Sequence, residues 1–156
     1  AALRARPGRY RELSDEVRAF PDAARLLQRT HDLGLGVVLA SSSPRDELDF
    51  SRERLDADEF IDAATTADDT TRSKPAPDIF ETAMERGGLD PERTIVVGDS
   101  IWDVRAARAA GLGCIGVEAG GFSRHELREN GAIAVYRDAA ELCAQLRTSP
   151  VSSLVR

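Results

Sequence analysis

The spacing of hydrophobic residues alternates along the chain between a helical period and short, uninterrupted apolar runs. Apolar positions three to four residues apart predict a helix at residues 10–20 and a second helix that begins at Pro21 and ends near Gly34. The runs at residues 37–40 and 94–97 have almost no polar residue, which is typical of strands buried on both faces of a parallel sheet. These segments therefore predict both helices and buried strands in the same chain.

The rest of the chain continues this alternation. Further strands are predicted at residues 60–64, 114–117 and 133–136, and further helices begin near Pro44, Pro77, Trp102, Ser123 and Asp138. Several short strands that are connected by helices predict an α/β fold with a doubly wound parallel sheet. The mostly polar residues 148–156 are expected to form a frayed tail.

Composition narrows the class of protein. The chain has 156 residues, of which 42% are hydrophobic, enough for one globular domain with a core. Its net charge of −6 argues against a nucleic-acid-binding surface. Because neither a long apolar segment nor a signal peptide is recognisable, we expect a cytoplasmic protein that acts on small molecules rather than at a membrane. Cys114 and Cys143 lie in apolar segments and are expected to be reduced core residues.

Polar residues follow the predicted strands at the places where an open parallel sheet binds its ligands, the carboxyl ends of the strands. Ser41 and Ser42 follow one strand, Lys74 lies in an extended loop, and Asp99 and Asp103 follow another strand. A hydroxyl and the amides of a helix start can bind phosphoryl oxygens, and a lysine supplies a point charge for an anion. Carboxylate oxygens are the ligands that Mg²⁺ prefers. Together these side chains suit phosphate and a divalent cation.

Each of these residues also has a purely structural interpretation. Ser41 alone is a turn residue or helix cap, and Asp99 after a glycine is often a cap as well. Lys74 alone is usually a solvated surface lysine, and Asp103 is usually an exposed acid on a helix. The functional hypothesis depends on these loops converging in the fold.

Three segments, taken together, favour the functional interpretation. Residues 37–41 (VVLAS), 73–77 (SKPAP) and 96–103 (VVGDSIWD) resemble the second, third and fourth motifs of the haloacid dehalogenase superfamily, in the family's order. The resemblance extends over about residues 21–146 and implies a Rossmann-like core. It also implies Mg²⁺-dependent transfer of a phosphoryl group to an aspartate of the enzyme.

The same resemblance assigns roles to the candidate residues. Ser41, with Ser42 beside it, and Lys74 would hold the phosphoryl group. Asp99 would bind Mg²⁺, and Asp103 would support the metal or its waters. Catalysis of this kind depends on positioning and charge neutralisation.

The family's first motif, an Asp-x-Asp sequence directly after a buried strand, is not found at the corresponding place. The Asp-x-Asp at residues 56–58 lies between Ser41 and Lys74 and has no apolar strand before it. We therefore expect a core without its central first strand, and a nucleophilic aspartate outside these 156 residues. Residues 1–20 then form the end of an α-helical cap, residues 21–147 the core and residues 148–156 the tail.

Several functions remain open. The resemblance points most directly to a phosphatase for a small phosphorylated metabolite, similar to phosphoglycolate phosphatases, and a phosphomutase is chemically adjacent. A 2-haloacid dehalogenase is disfavoured, because those relatives lack an acidic residue at the position of Asp99. A catalytically inactive domain that binds phosphate or a protein partner is the alternative if no nucleophile is available.

Overall fold

The computed structural model describes residues 18–155 and has the expected alternation of helices and strands. The helix predicted at residues 10–20 lies outside the described part except for residues 18–20, which are not helical. The elements are, in chain order, α1 (Ala23–Asp32), β1 (Val38–Ala40), α2 (Arg45–Leu55), β2 (Ala63–Thr65), α3 (Asp78–Gly87), β3 (Ile95–Gly98), α4 (Ile101–Ala109), β4 (Gly113–Val117), α5 (Arg124–Glu129), β5 (Ala134–Tyr136) and α6 (Ala139–Ala144).

Every strand pair is parallel, which confirms the α/β class, but the strands form two separate sheets. β1 pairs with β2, and β3, β4 and β5 form the second sheet in that order. Within the described residues, β1 and β3 therefore have one neighbour each and one unpaired edge. Such an edge presents a row of free N–H and C=O groups that can accept another strand.

A cavity of about 480 Å³, which we call the slot, is bordered by both β1 and β3. Its walls include apolar side chains from the helices that cover the sheets on either side, namely Leu26, Phe80, Ala83, Met84 and Leu142. The expectation that β1 and β3 are buried on both faces is wrong for the described chain. Residues 38–40 are only half-buried and Val97 is 47% exposed, because one edge of each strand borders the slot.

Alternate residues of the second sheet pack into two different cores, as a doubly wound sheet requires. Cys114 lies in the core beside α3, α4 and α5, whereas its neighbour Ile115 lies in the core beside α6. Cys114 and Cys143 are both buried and free, as expected. The predicted capping box that starts α5 is present, since the Ser123 and Glu126 side chains each accept the other's backbone N–H.

The carboxyl-terminal residues 148–155 do not fray. The chain forms 3₁₀ turns at Leu146–Thr148 and Pro150–Leu154, and the hydroxyl of Ser149 accepts a hydrogen bond from the N–H of Val151 at 3.2 Å. Val151 is 6% exposed and packs with Leu142 and Leu146 in the core beside α6. The tail prediction overlooked this apolar anchor. No helix within residues 18–155 is long and apolar enough to cross a membrane.

Truncating Val151 should therefore lower stability, whereas the same change four residues later should not. We expect Val151→Ala to reduce the free energy of unfolding by roughly 1–3 kcal/mol, because buried methyl groups are lost from the core. Val155, which is 37% exposed, provides the matched control as Val155→Ala. Urea unfolding measures both. Equal effects of the two substitutions would contradict the packed tail.

Candidate phosphate and metal site

The candidate residues from three different loops lie around one end of the slot. Ser41 follows β1, Asp99 follows β3, and Lys74 comes from the loop between β2 and α3. Ser41, Lys74 and Asp103 all line the slot. The Nζ atom of Lys74 donates to Oδ1 of Asp103 at 2.6 Å, which joins the loop after β2 to the helix after β3.

The loop after β1 is ordered by hydrogen bonds that leave the Ser41 hydroxyl able to donate. The N–H of Ser41 donates to the carbonyl of Thr65 at 3.0 Å. The Ser41 hydroxyl oxygen accepts from the N–H of Ser43 at 3.1 Å. Its own hydrogen is thus available for an anion. Ser42 is exposed beside it, and its predicted contact with phosphate remains a prediction.

Asp103 is a buried acid with partners on both carboxylate oxygens, so the exposed-acid interpretation is wrong. Its Oδ1 accepts from Lys74, and its Oδ2 accepts from the N–H of Asp99 at 3.2 Å and from the Ser100 N–H and hydroxyl at 3.1 and 2.7 Å. Burial opposes ionisation, but the charge and hydrogen bond of Lys74 hold the pKa of Asp103 below its ordinary value. Asp103 therefore orients Lys74 and the turn after β3.

Lys74 is not a solvated surface lysine. Its side chain is 14% exposed, and its Nζ lies 5.2 Å from the centre of the Phe80 ring. The cation thus lies between a carboxylate and an aromatic face and has lost most of its contact with water. A second anion that enters the slot would meet this charge at short range.

Asp99 has the exposed carboxylate of the cluster. Partial burial and the negative charge of Asp103 raise its pKa above the ordinary value. Two glycines permit this arrangement. A Cβ on Gly98 would lie 2.4 Å from Cβ of Asp103, and a Cβ on Gly120 would lie 2.2 Å from the carbonyl oxygen of Asp99. Gly120 was not among the residues predicted from the sequence, although its position after β4 could have indicated a close approach.

The donor set fits part of an Mg²⁺ site. Within residues 18–155 no three His, Cys, Asp or Glu side chains form a metal-binding group. Asp99 offers an exposed carboxylate, whereas both oxygens of Asp103 are already engaged. Mg²⁺ is commonly held by one or two carboxylates together with waters and substrate phosphate oxygens, so Asp99 suits one such position.

Comparison with known proteins shows the family to which the chain belongs. Residues 1–111 match the family model of haloacid dehalogenase-like hydrolases. The chain belongs to this family. Among solved structures, a hydrolase from Pseudomonas syringae superimposes with a TM-score of 0.83 at 32% identity, covering 89% of this chain and 66% of that one. A family hydrolase from Deinococcus radiodurans with bound phosphate and sodium superimposes with a TM-score of 0.79 at 26% identity, covering 95% and 66%.

Curated relatives in the family include phosphatases and a dehalogenase. Validoxylamine A 7'-phosphate phosphatase of Streptomyces hygroscopicus subsp. limoneus is 32% identical, covering 68% of this chain and 55% of that enzyme. Phosphoglycolate phosphatase of Salmonella paratyphi A is 32% identical, covering 71% and 44%. (S)-2-haloacid dehalogenase 4A of Burkholderia cepacia is 30% identical, covering 68% and 44%. The chain thus spans about half the length of these relatives.

Removing the lysine of the buried pair should destabilise the protein in a pH-dependent way. We expect Lys74→Met to cost roughly 3 kcal/mol of unfolding free energy at pH 7, because Asp103 is left charged and unpaired. In the wild-type protein, ionised Asp103 with its lowered pKa stabilises the fold above the ordinary carboxyl pKa of 3.8. This stabilisation is lost as the pH falls and Asp103 becomes protonated. The difference in unfolding free energy between the wild type and Lys74→Met should therefore become smaller below about pH 4.

Thermal or urea unfolding from pH 7 to pH 3 in metal-free buffer measures this difference. The double variant Lys74→Met with Asp103→Asn is the control, because it removes the titrating carboxyl together with its partner. It should recover part of the stability that the single variant loses at pH 7, because no unpaired buried charge remains. The proposed pairing would be contradicted if the difference in unfolding free energy between the wild type and Lys74→Met stayed constant across this pH range.

Proposed function

We propose that this chain forms the phosphate- and magnesium-binding core of a Mg²⁺-dependent phosphatase acting on a small phosphorylated metabolite. The reaction proceeds through an aspartyl-phosphate, and the nucleophilic aspartate lies outside these 156 residues. The observation that carries this proposal is the slot, which is bordered on each side by a strand with one unpaired edge. The Ser41 and Asp99 loops lie at the carboxyl ends of these strands, and Lys74 lines the slot from the loop after β2. A cytoplasmic location remains part of the proposal.

The slot suits one extended, apolar strand. A strand between β1 and β3 would pair with both free edges and bury its side chains between the covering helices. Unpaired buried amides cost about 1–3 kcal/mol each, so filling the slot would stabilise the domain considerably. A residue that follows such a strand emerges beside the loops after β1 and β3. An aspartate there would be placed next to the phosphoryl group.

The described residues would then bind the phosphoryl group, neutralise its charge and hold the metal ion. The Ser41 hydroxyl donates to a phosphoryl oxygen, and Lys74 supplies positive charge where charge accumulates in the transition state. Asp103 keeps Lys74 in place through the hydrogen bond at 2.6 Å. Asp99 would hold Mg²⁺, which when bound neutralises phosphate charge and orients the oxygens for in-line attack. The phosphoryl group passes to the aspartate carboxylate as the alcohol leaves, and water then cleaves the acyl phosphate to release inorganic phosphate.

The phosphatases among the relatives support this reaction class, and Asp99 supports it over dehalogenation, which by the family resemblance uses no acid at this position. A phosphomutase would use the same core and differ in what receives the phosphoryl group. An inactive phosphate-binding domain would keep Ser41 and Lys74 without any nucleophile.

Hydrolysis of p-nitrophenyl phosphate tests the proposal in a protein that includes the proposed strand. We expect turnover that requires Mg²⁺ and falls by at least about a hundredfold in Asp99→Asn, since charge neutralisation of the phosphoryl group is weakened. Asp49→Asn, an exposed acid on α2, is the control and should retain activity. Activity without Mg²⁺, or activity of residues 1–156 alone, would contradict the proposal.

A further inference from the structure

The loop that follows β1 is hydrogen-bonded to the turn that follows β2. The N–H of Ala67 donates to the carbonyl of Ser43 at 3.0 Å, and the carboxylate of Asp68 accepts from the N–H of Arg45 at 2.9 Å. Arg45 is the first residue of α2, so these bonds fix the loop at both its middle and its end. The position of residues 41–43 therefore depends on the turn Ala67–Asp69.

That turn is held by the carboxylate of Asp69. Oδ2 of Asp69 accepts from the N–H and the hydroxyl of Thr66 at 2.8 and 3.0 Å. The guanidinium of Arg86 binds both Asp69 oxygens, with Nη1 at 2.9 Å from Oδ2 and Nη2 at 2.6 Å from Oδ1. Arg86 also donates to the carbonyl of Ala64 at 3.0 Å. The Asp69 side chain is only 11% exposed, whereas the Arg86 side chain that covers it is 38% exposed.

The charge state of the pair is secure at neutral pH. The hydrogen bonds from Arg86, followed by those from Thr66, hold the pKa of the Asp69 carboxyl far below its usual range. A planar guanidinium that binds two carboxylate oxygens fixes orientation as well as distance. An ammonium group cannot reproduce both bonds in this geometry.

Helix α3 carries Arg86 near its end and controls the other candidate phosphate loop at its start. Asp78, the first residue of α3, accepts from Thr71 at 3.2 Å and forms an ion pair with Arg72 at 2.7 Å, which tethers the loop that contains Lys74. The helix thus connects the Lys74 loop at one end to the support of the Ser41 loop at the other.

We propose that Asp69 and Arg86 are positioning residues that set the placement of the Ser41 loop relative to Lys74 for phosphate binding. This role rests on the proposed function of the site. Neither residue touches the phosphate. They act through the turn Ala67–Asp69, which carries the loop. A pair that only stabilised the fold would change the unfolding free energy and leave the affinity for phosphate unchanged.

Three variants test this role: Arg86→Gln, Arg86→Lys and the isosteric Asp69→Asn. The control is Arg52→Gln, which removes another arginine–aspartate pair, formed with Asp58 at 2.8 Å. The affinity for inorganic phosphate is measured by calorimetry and as product inhibition of p-nitrophenyl phosphate hydrolysis. Amide exchange of Ser43, Arg45 and Ala67 is followed in parallel in the folded protein below the unfolding temperature.

We expect phosphate affinity to fall by roughly tenfold or more in Arg86→Gln and Asp69→Asn, with a rise in KM that exceeds the loss in kcat, because the loop is displaced. Arg86→Lys should rescue little, and the Arg45 and Ala67 amides should exchange faster in all three variants. Unchanged phosphate affinity, or an equal loss in Arg52→Gln, would overturn the proposal. If Arg86→Gln does not fold, Asp69→Asn and Arg86→Lys decide by the same criteria.

The two proposals can fail separately. A wild-type protein that binds inorganic phosphate but does not hydrolyse the ester would refute the phosphatase, while the calorimetric and exchange results would still decide the role of the pair. Conversely, normal Mg²⁺-dependent turnover with unaltered phosphate affinity in all three variants would refute only the positioning role.

Discussion

The two unpaired strand edges that face each other across the slot are the constraint on which the rest of the structure depends. Parallel strands are stable when both edges and both faces are covered, and β1 and β3 lack this cover on one edge within the described chain. Their half-buried residues, the apolar helix faces turned toward the slot and the separation into two sheets are consequences of this one feature.

The buried ion pair between Lys74 and Asp103 connects the two sides of the slot. Lys74 belongs to the loop that leaves the first sheet, and Asp103 to the helix that leaves the second. Asp103 also binds the backbone at Asp99, so one carboxylate orients both the cation that faces the slot and the turn that carries the exposed acid. The charges of the site are therefore arranged by the chain itself, before any ligand binds, as electrostatic preorganisation requires.

The sequence predicted the parallel α/β fold, the order of elements and the convergence of Lys74 and Asp103, because each rests on local periodicity or on a short motif at a strand end. It did not predict the packing of Val151, since burial depends on distant neighbours. The Asp69–Arg86 pair was not predicted either, because Asp69 lies in a turn and Arg86 in a helix, and no sequence motif includes both residues.

Amide exchange along β1 and β3 tests the central claim, that one further strand fills the slot, most directly. The measurement compares residues 1–156 with a protein that also contains the proposed strand. We expect the slot-facing amides of Val38–Ala40 and Ile95–Gly98 to become protected to the level of global unfolding when the strand is present, and to exchange rapidly without it. Equal protection of these amides in both proteins would mean that no further strand fills the slot.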